Sequence, residues 1–343
     1  MLATGQFIAG LQEPSGAIAW PDGHVDAWDH IECTMALSVC GQLDRARLGT
    51  TRLGTTRLGT TLRDRARAGY GWLRDTQRAD GSWARSWIAG AVADQAAEAH
   101  HAAYVAVGTW HEYLVTGDLA FVEQMWPSVQ LAVDWTLGLS TPRGEVAWER
   151  DAAGAPGSFA LLSGCASIYQ ALHYAVALAK LVSEPRPDWE QAADRLGFLV
   201  ARCPEVFADK SRFAMDWYYP VLGGAVRGTA AATRLTASWA SFVVPGRGCR
   251  CVSDEPWVTV AETCELVLAL EACGMRSQAR EMFGTVAAQR QPDGSYWTGW
   301  QYVNEQPFPA EFSSWTAASV VLACDALTGY SGGAGIFRDV PGS

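Results

Sequence analysis

Apolar residues recur at three- and four-residue spacing through most of the chain, the period of a helix that buries one face. The pattern predicts helices over Trp28–Arg47, Leu62–Gln77, Ala93–Thr116, Leu119–Leu139, Leu162–Val182, Trp189–Arg202, Leu222–Ser238, Trp257–Cys273, Arg276–Gln289 and Glu311–Leu327. "TGD" at Thr116–Asp118 and "ACGMRSQA" at Ala272–Ala279 read as short helix–helix connections. Two-residue alternation, the strand signal, is confined to "SFVVPG" and "CRCVSD". Ten or so helices joined by alternately short and long connections predict an all-α fold: helical hairpins closed into an (α/α) toroid of about five or six, in a single domain.

A recurring turn supports the ring. Helix ends are followed by "QEPSGAIAW" (Gln12–Trp20), "QRADGSW" (Gln77–Trp83), "STPRGEVAW" (Ser140–Trp148) and "QRQPDGSYW" (Gln289–Trp297). Each is a helix exit, a glycine turn and an aromatic, and the glycine supplies the positive φ needed there. The spacing is irregular, so the units are diverged hairpins rather than a uniform solenoid. The domain spans 1–330, with a loose tail over 331–343. Within it "RLGTT" occurs three times in tandem from Arg47 to Thr61, flanked by "DRAR" on both sides. Residues 47–62 therefore read as a low-complexity expansion in an exposed loop without a role in function.

Composition narrows the classes. Hydrophobic residues make up 49% and charged residues 18%, the balance of a chain with a buried core. A net charge of −10 argues against nucleic acid or an anionic membrane as the partner. No apolar run reaches the roughly 18–20 residues that span a bilayer. The first residues carry neither a basic region nor a long apolar stretch, so no signal peptide is read. The nine cysteines then read as reduced thiols, and the expected location is the cytoplasm. "CRC" at Cys249–Cys251 lacks a second Cys/His pair, and no metal or organic cofactor is expected. Sixteen tryptophans, many beside Gly, Asp or Pro in turns, point to a loop-lined cavity with flat ring walls.

Two resemblances sharpen this. "RAGYGWLRDTQRADGSW" (Arg67–Trp83) resembles the QW motif of squalene and terpene cyclases and their prenyltransferase relatives. More broadly, "YVAVGTWHEYLVTGDLAFVEQMWPSVQLAVDW" (Tyr104–Trp135), "GEVAWERDAAG" and "FPAEFSSWTAAS" (Phe308–Ser319) resemble glucoamylase-like glycoside hydrolases built on six helical hairpins. That resemblance implies cleavage or transfer at a glycosidic bond, with Glu149 as general acid and Glu311 as base. The family's early Trp-x-Arg-Asp motif is replaced by "AWDHIE" at Ala27–Glu32, and its Glu-Glu pair by Glu149-Arg150. An oligosaccharide or other small-molecule substrate is expected.

Glycoside cleavage needs two carboxyls flanking the scissile bond, one to protonate the leaving oxygen and one to activate water or attack. Glu149 also reads as a solvated residue beside Arg150, with Glu145 as a competitor, and Glu311 as a helix N-terminal carboxylate. Other clusters offer binding groups. "HVDAWDHIE" carries Asp26, Trp28, Asp29 and Glu32 into a helix, with Asp29 and Glu32 on one face; one aspartate also suits an N-cap. "ADQAAEAHHAAY" sets Asp94, Glu98 and His101 at helical spacing. "MDWYYPVLGG" contributes Asp216, Trp217 and Tyr218, and "SDEPWVTVAETCE" offers Asp254, Trp257 and Glu262. Trp83, Trp148 and Trp300 are ring faces in turns. The isoprenoid alternative lacks its acid: there is no Asp-x-Asp-Asp, no DDxxD, and no histidine after His173 for a zinc set. A sugar epimerase or isomerase needs convergence of His100, His101, His111 and His173.

Overall fold

The structure is a computed structural model that describes residues 1–50 and 61–342. The expectation for the "RLGTT" array falls mainly outside those residues. The helices are α1 (Leu2–Leu11), α2 (Ala27–Thr50), α3 (Leu62–Thr76), α4 (Ala99–Ala103), α5 (Val105–Thr116), α6 (Leu119–Leu137), α7 (Leu162–Leu181), α8 (Pro187–Arg202), α9 (Ala214–Leu222), α10 (Gly228–Ala237), α11 (Trp239–Phe242), α12 (Val260–Ala272), α13 (Arg276–Val286) and α14 (Ser314–Thr328). The short strands are β1 (His24–Val25), β2 (Ser86–Ile88), β3 (Ala91–Asp94), β4 (Ala97–Glu98), β5 (Glu149–Arg150), β6 (Val243–Val244), β7 (Gly248–Arg250), β8 (Trp257–Thr259), β9 (Gly299–Gln301) and β10 (Gln306–Pro307). They pair antiparallel in three small sheets, β1-β2-β3, β4-β5 and β10-β9-β8-β7-β6. None of the described helices is long and apolar enough to cross a membrane.

Composition sorts the helices into two rings. α7 and α12 are buried on nearly every side, and their sequences are apolar all round. α8 is amphipathic and buries only Trp189, Ala193, Leu196, Leu199 and Val200 on one stripe. The buried helices form a closed inner ring: α2 packs on α5, α5 on α7, α7 on α9, α9 on α12, α12 on α14, and α14 returns to α2. The helices preceding them in each hairpin, α1, α3, α6, α8, α10 and α13, stand outside.

The repeated turn closes four of the six outer helices, α1, α3, α6 and α13. Gly16, Gly81, Gly144 and Gly294 donate their N–H to Glu13, Arg78, Thr141 and Gln291, the same three-residue offset in every copy. All four have φ between +93° and +118°. A Cβ would lie 2.3 Å from the Ala68 carbonyl at Gly16, 2.2 Å from that of Leu131 at Gly81, 2.3 Å from Arg195 at Gly144 and 2.5 Å from Ala3 at Gly294. Each glycine thus abuts the next outer helix, and the last abuts α1, so the ring closes. The glutamine of the repeat staples this contact: Gln77 donates to Gly81 and Ser128, and Gln12 to Gly16 and Arg65, all at 2.9 Å.

Several predicted boundaries change. Helix α1 was not predicted; Gly5 lets it approach Cys40, where a Cβ would sit at 2.7 Å. The run from Ala93 begins as strands, and helix starts only at Ala99. Trp257–Thr259 is a strand before α12, and the stretch from Leu222 is preceded by the separate helix α9, which contains Pro220. Residues after Tyr330, where the sequence suggests a loose end, pack onto the core: Ile336 and Phe337 are buried, and Arg227 donates to the Phe337 carbonyl at 3.1 Å. This segment meets α5 near His111 and Leu114, toward its C-terminal end.

Candidate active site

The inner helices all start at the end of the ring that carries the short strands. A cavity of about 420 Å³ opens there, lined by residues at the starts of α2, α4, α7, α9 and α14. The segment leading into α2 gives Trp20, His24, Asp26, Trp28 and Asp29; the segment leading into α4 gives Arg85, Ser86, Glu98, His100 and His101. Trp148, Ser163 and Gly164 come with α7, Met215 with α9 and Trp315 with α14. Helix N-termini carry partial positive charge, so this end favours carboxylates.

The acids are held in order. Asp26 accepts the Asp29 N–H at 2.9 Å, a helix cap at the first turn of α2. Asp29 Oδ2 accepts from Trp20 Nε1 at 2.8 Å. Burial, then the charges of Asp26 and Glu32, push the Asp29 carboxyl well above the ordinary aspartate range. Glu32 lies one turn deeper, accepting from Tyr104 at 2.9 Å and from Trp315 Nε1 at 2.8 Å. Burial raises its carboxyl too. Beyond it Glu265 accepts from Tyr218 and Tyr219. Glu262, in the first turn of α12, is buried and accepts from Thr259.

On the facing wall Arg85 gathers three carboxylates: Nε stands 2.9 Å from Glu98, Nη1 2.7 Å from Asp94, and Nη2 pairs with Glu149. Glu98 and Glu149 are opposite one another in the β4-β5 ladder. His101 Nε2 is 3.6 Å from Glu98 and 3.9 Å from Asp26. His100 stacks on Trp148 at 4.3 Å and meets Trp28 edge-on at 4.4 Å. Burial holds it neutral, well below the ordinary histidine range. Glu98, His100 and His101 also bring one ligand atom each within 4.8 Å of one another. They are the described residues that could close on a metal, but the Arg85 guanidinium competes for the same carboxylate.

Of the residues singled out from sequence, Asp26, Trp28, Asp29, Glu98, His101 and Trp148 line the cavity, with Glu32 directly beneath and Asp94 and Glu149 behind Arg85. Trp83 is buried and donates to the Leu73 carbonyl, a structural bond. Asp216 and Trp217 line a neighbouring cavity. Tyr218 is in the core, Asp254 pairs with Arg212 on the surface, Trp257 packs against Phe308, and Trp300 pairs with Val258 in the outer sheet. Glu311 is half-buried before α14, and its carbonyl accepts from Thr298 at 2.9 Å; it does not line the cavity. His111 and His173 lie toward the opposite end, so only His100 and His101 come together, side by side on one wall at 4.3 Å. The sequence reading omits Arg85, Met215, Trp20 and Trp315 from the site. Trp20 and Trp315 carried a signal, as the aromatic of the first repeat and the leader of the last helix.

No family model matches the chain. It is 48% identical over 338 residues, 98% of its length and 88% of the relative's, to an MMP endo-(1,4)-3-O-methyl-alpha-D-mannosidase of Mycolicibacterium hassiacum. Among solved structures it is similar to a wild-type glycosidase, with a TM-score of 0.71 at 16% identity over 95% of this chain and 96% of that one. A D-mannose isomerase matches with a TM-score of 0.67 at 12% identity over 95% of both chains.

Proposed function

The chain is a glycoside hydrolase that belongs to the family of the Mycolicibacterium hassiacum endo-mannosidase, and from that premise we propose that it hydrolyses internal α-(1→4) bonds of a 3-O-methylated mannose chain. The observation that carries the reading is the walled cavity lined by Asp26, Asp29 and Glu98. Its ring faces (Trp20, Trp28, Trp148, Trp315) suit sugar faces, and its three carboxyls suit hydroxyls and acid–base work. Asp29, kept protonated by burial and by Asp26, is the general acid: it gives its proton to the glycosidic oxygen as the C1–O bond breaks. Glu98, on the opposite side of His101, takes a proton from the water that attacks the anomeric carbon. The Asp26 charge favours the protonated form of Asp29, and His101 lies within 4 Å of both Asp26 and Glu98.

This assignment moves proton donation from Glu149 to Asp29. Glu149 pairs with Arg85 and, unlike Asp29, is not among the residues that line the cavity. Glu311 stands outside the cavity lining. Met215, an apolar and flexible side chain on the wall beside Gly164 and Trp148, supports the 3-O-methyl specificity: a methyl ether has lost its hydroxyl donor and gains most against an apolar surface. Hydrolysis of α-(1→4)-linked 3-O-methylmannose oligomers by wild type, Asp29→Asn and Glu98→Gln tests the proposal; wild-type inactivity on these oligomers, or full activity in Asp29→Asn, overturns it.

A further inference from the structure

A second cavity, of about 620 Å³, opens beside the first. Two consecutive residue pairs form the partition between them. Ser163 and Met215 line the first cavity, while their chain neighbours Leu162 and Asp216 line the second. Asp216 accepts the Ser163 N–H at 3.3 Å, which ties the two sides of the partition together.

The second cavity has an apolar floor and a polar rim. Trp217 stacks on Phe242 with 5.1 Å between ring centres and 14° between planes, and Phe207 is buried next to them. Arg234 directs Nε to the Trp217 carbonyl at 2.8 Å and Nη2 to that of Asp216 at 2.7 Å, which fixes its plane at the wall. Burial raises the Asp216 carboxyl above the ordinary aspartate range. Lys210 stands at the exposed rim with Asp209 and Ser211, next to half-buried Ser238. Cations (Lys210, Arg234) and acids (Glu205, Asp209, Asp216) nearly balance, which disfavours a phosphate or nucleic acid ligand. Ring faces beside paired donors and acceptors in a cavity of this size fit a neutral polyhydroxylated ligand.

An enzyme that cuts inside a polymer must let the chain leave the catalytic cavity in both directions. A chain that crossed the Ser163–Met215 partition would pass from the first cavity into the second. We propose that the second cavity is a distal glycan-binding site, which holds the substrate chain beyond the Ser163–Met215 partition and anchors long substrates. This rests on the endo-hydrolase reading above.

The test uses the full chain, a tetramer and a decamer of α-(1→4)-linked 3-O-methylmannose, and the variants Lys210→Ala and Ala237→Trp. Both positions are exposed and lie outside the catalytic cavity, and the second fills the distal one. Wild type is expected to favour the decamer. Each variant is expected to lower kcat/KM on the decamer by about fivefold to tenfold, through KM, and to change the tetramer by less than about twofold. Equal losses on both lengths, or no wild-type preference for the decamer, overturn the proposal. Calorimetric binding separates it from the hydrolase reading. Decamer bound by wild type and weakened in both variants, with nothing cut, would keep the distal site and discard the hydrolysis; decamer left unbound would discard the site.

Discussion

The Asp29 backbone N–H donates to the Asp26 carboxylate at 2.9 Å. The cap that starts α2 is thus also the negative charge beside the proposed acid. Asp26→Asn keeps a good capping side chain and removes the charge. Without that charge the ionised form of Asp29 is less disfavoured, so its pKa falls. Activity needs Asp29 protonated and is lost as pH rises through that pKa, so the alkaline limb of the pH–rate profile is expected to move to lower pH. A full pH profile of kcat/KM for wild type and variant checks this; an unmoved alkaline limb would separate Asp26 from the tuning of Asp29.

Ring closure depends on the repeated glycine turns. In Gly81→Ala the residue must hold φ +98° with a Cβ 2.2 Å from the Leu131 carbonyl. A loss of about 3 kcal/mol is expected, combining left-handed strain with a backbone clash. Gly23→Ala is the control, because its φ of +87° is also left-handed but nothing lies within 4 Å. It is expected to lose about 1 kcal/mol. Thermal unfolding of the two variants measures the difference.

The same turns show what the sequence discloses. The frame of helix exit, glycine and aromatic was readable because four of the hairpins meet the same geometric demand, a reversal against the next outer helix. "HVDAWDHIE" and "ADQAAEAHHAAY" were readable as site segments because acids and histidines cluster where inner helices begin. Arg85 was not, since its partners Glu98 and Glu149 come from two later segments and meet only through the β4-β5 ladder. Met215 looks like an ordinary core residue until α9 places it on the cavity wall. Helix α9 itself was hidden by Pro220 and by an aromatic run with no period. Trp148-Glu149 illustrates the limit: the Trp belongs to the repeat, and what the Glu does is set by an arginine sixty-odd residues earlier in the chain.

Arg85 offers a separate test. Arg85→Met leaves Asp94, Glu98 and Glu149 without their shared cation. All three keep some solvent, so a stability loss of about 1–2 kcal/mol is expected rather than that of a fully buried pair. Activity is expected to fall further than stability, because Glu98 loses its orientation. Denaturant unfolding and kcat, measured on the same preparation, separate the two effects.

Met215 is expected to set methyl preference. Met215→Gln replaces an apolar contact with an amide. A methyl group buried against an apolar wall contributes about 0.8 kcal/mol, so the ratio of kcat/KM on methylated over unmethylated α-(1→4)-mannose oligomers is expected to fall by about fourfold. Competition between the two oligomers in one reaction reads that ratio directly.

The most direct measurement of the central claim, that Asp29 supplies the proton to the leaving oxygen, compares two leaving groups in Asp29→Asn. On a natural oligomer, whose leaving hydroxyl needs protonation, the variant is expected to lose about a thousandfold or more in kcat. On a mannoside with a strongly acidic phenol as leaving group, which departs without a proton, most of that loss is expected to vanish, while Glu98→Gln stays impaired on both. Equal impairment of Asp29→Asn on the two substrates, or rescue seen in Glu149→Gln instead, would contradict the account.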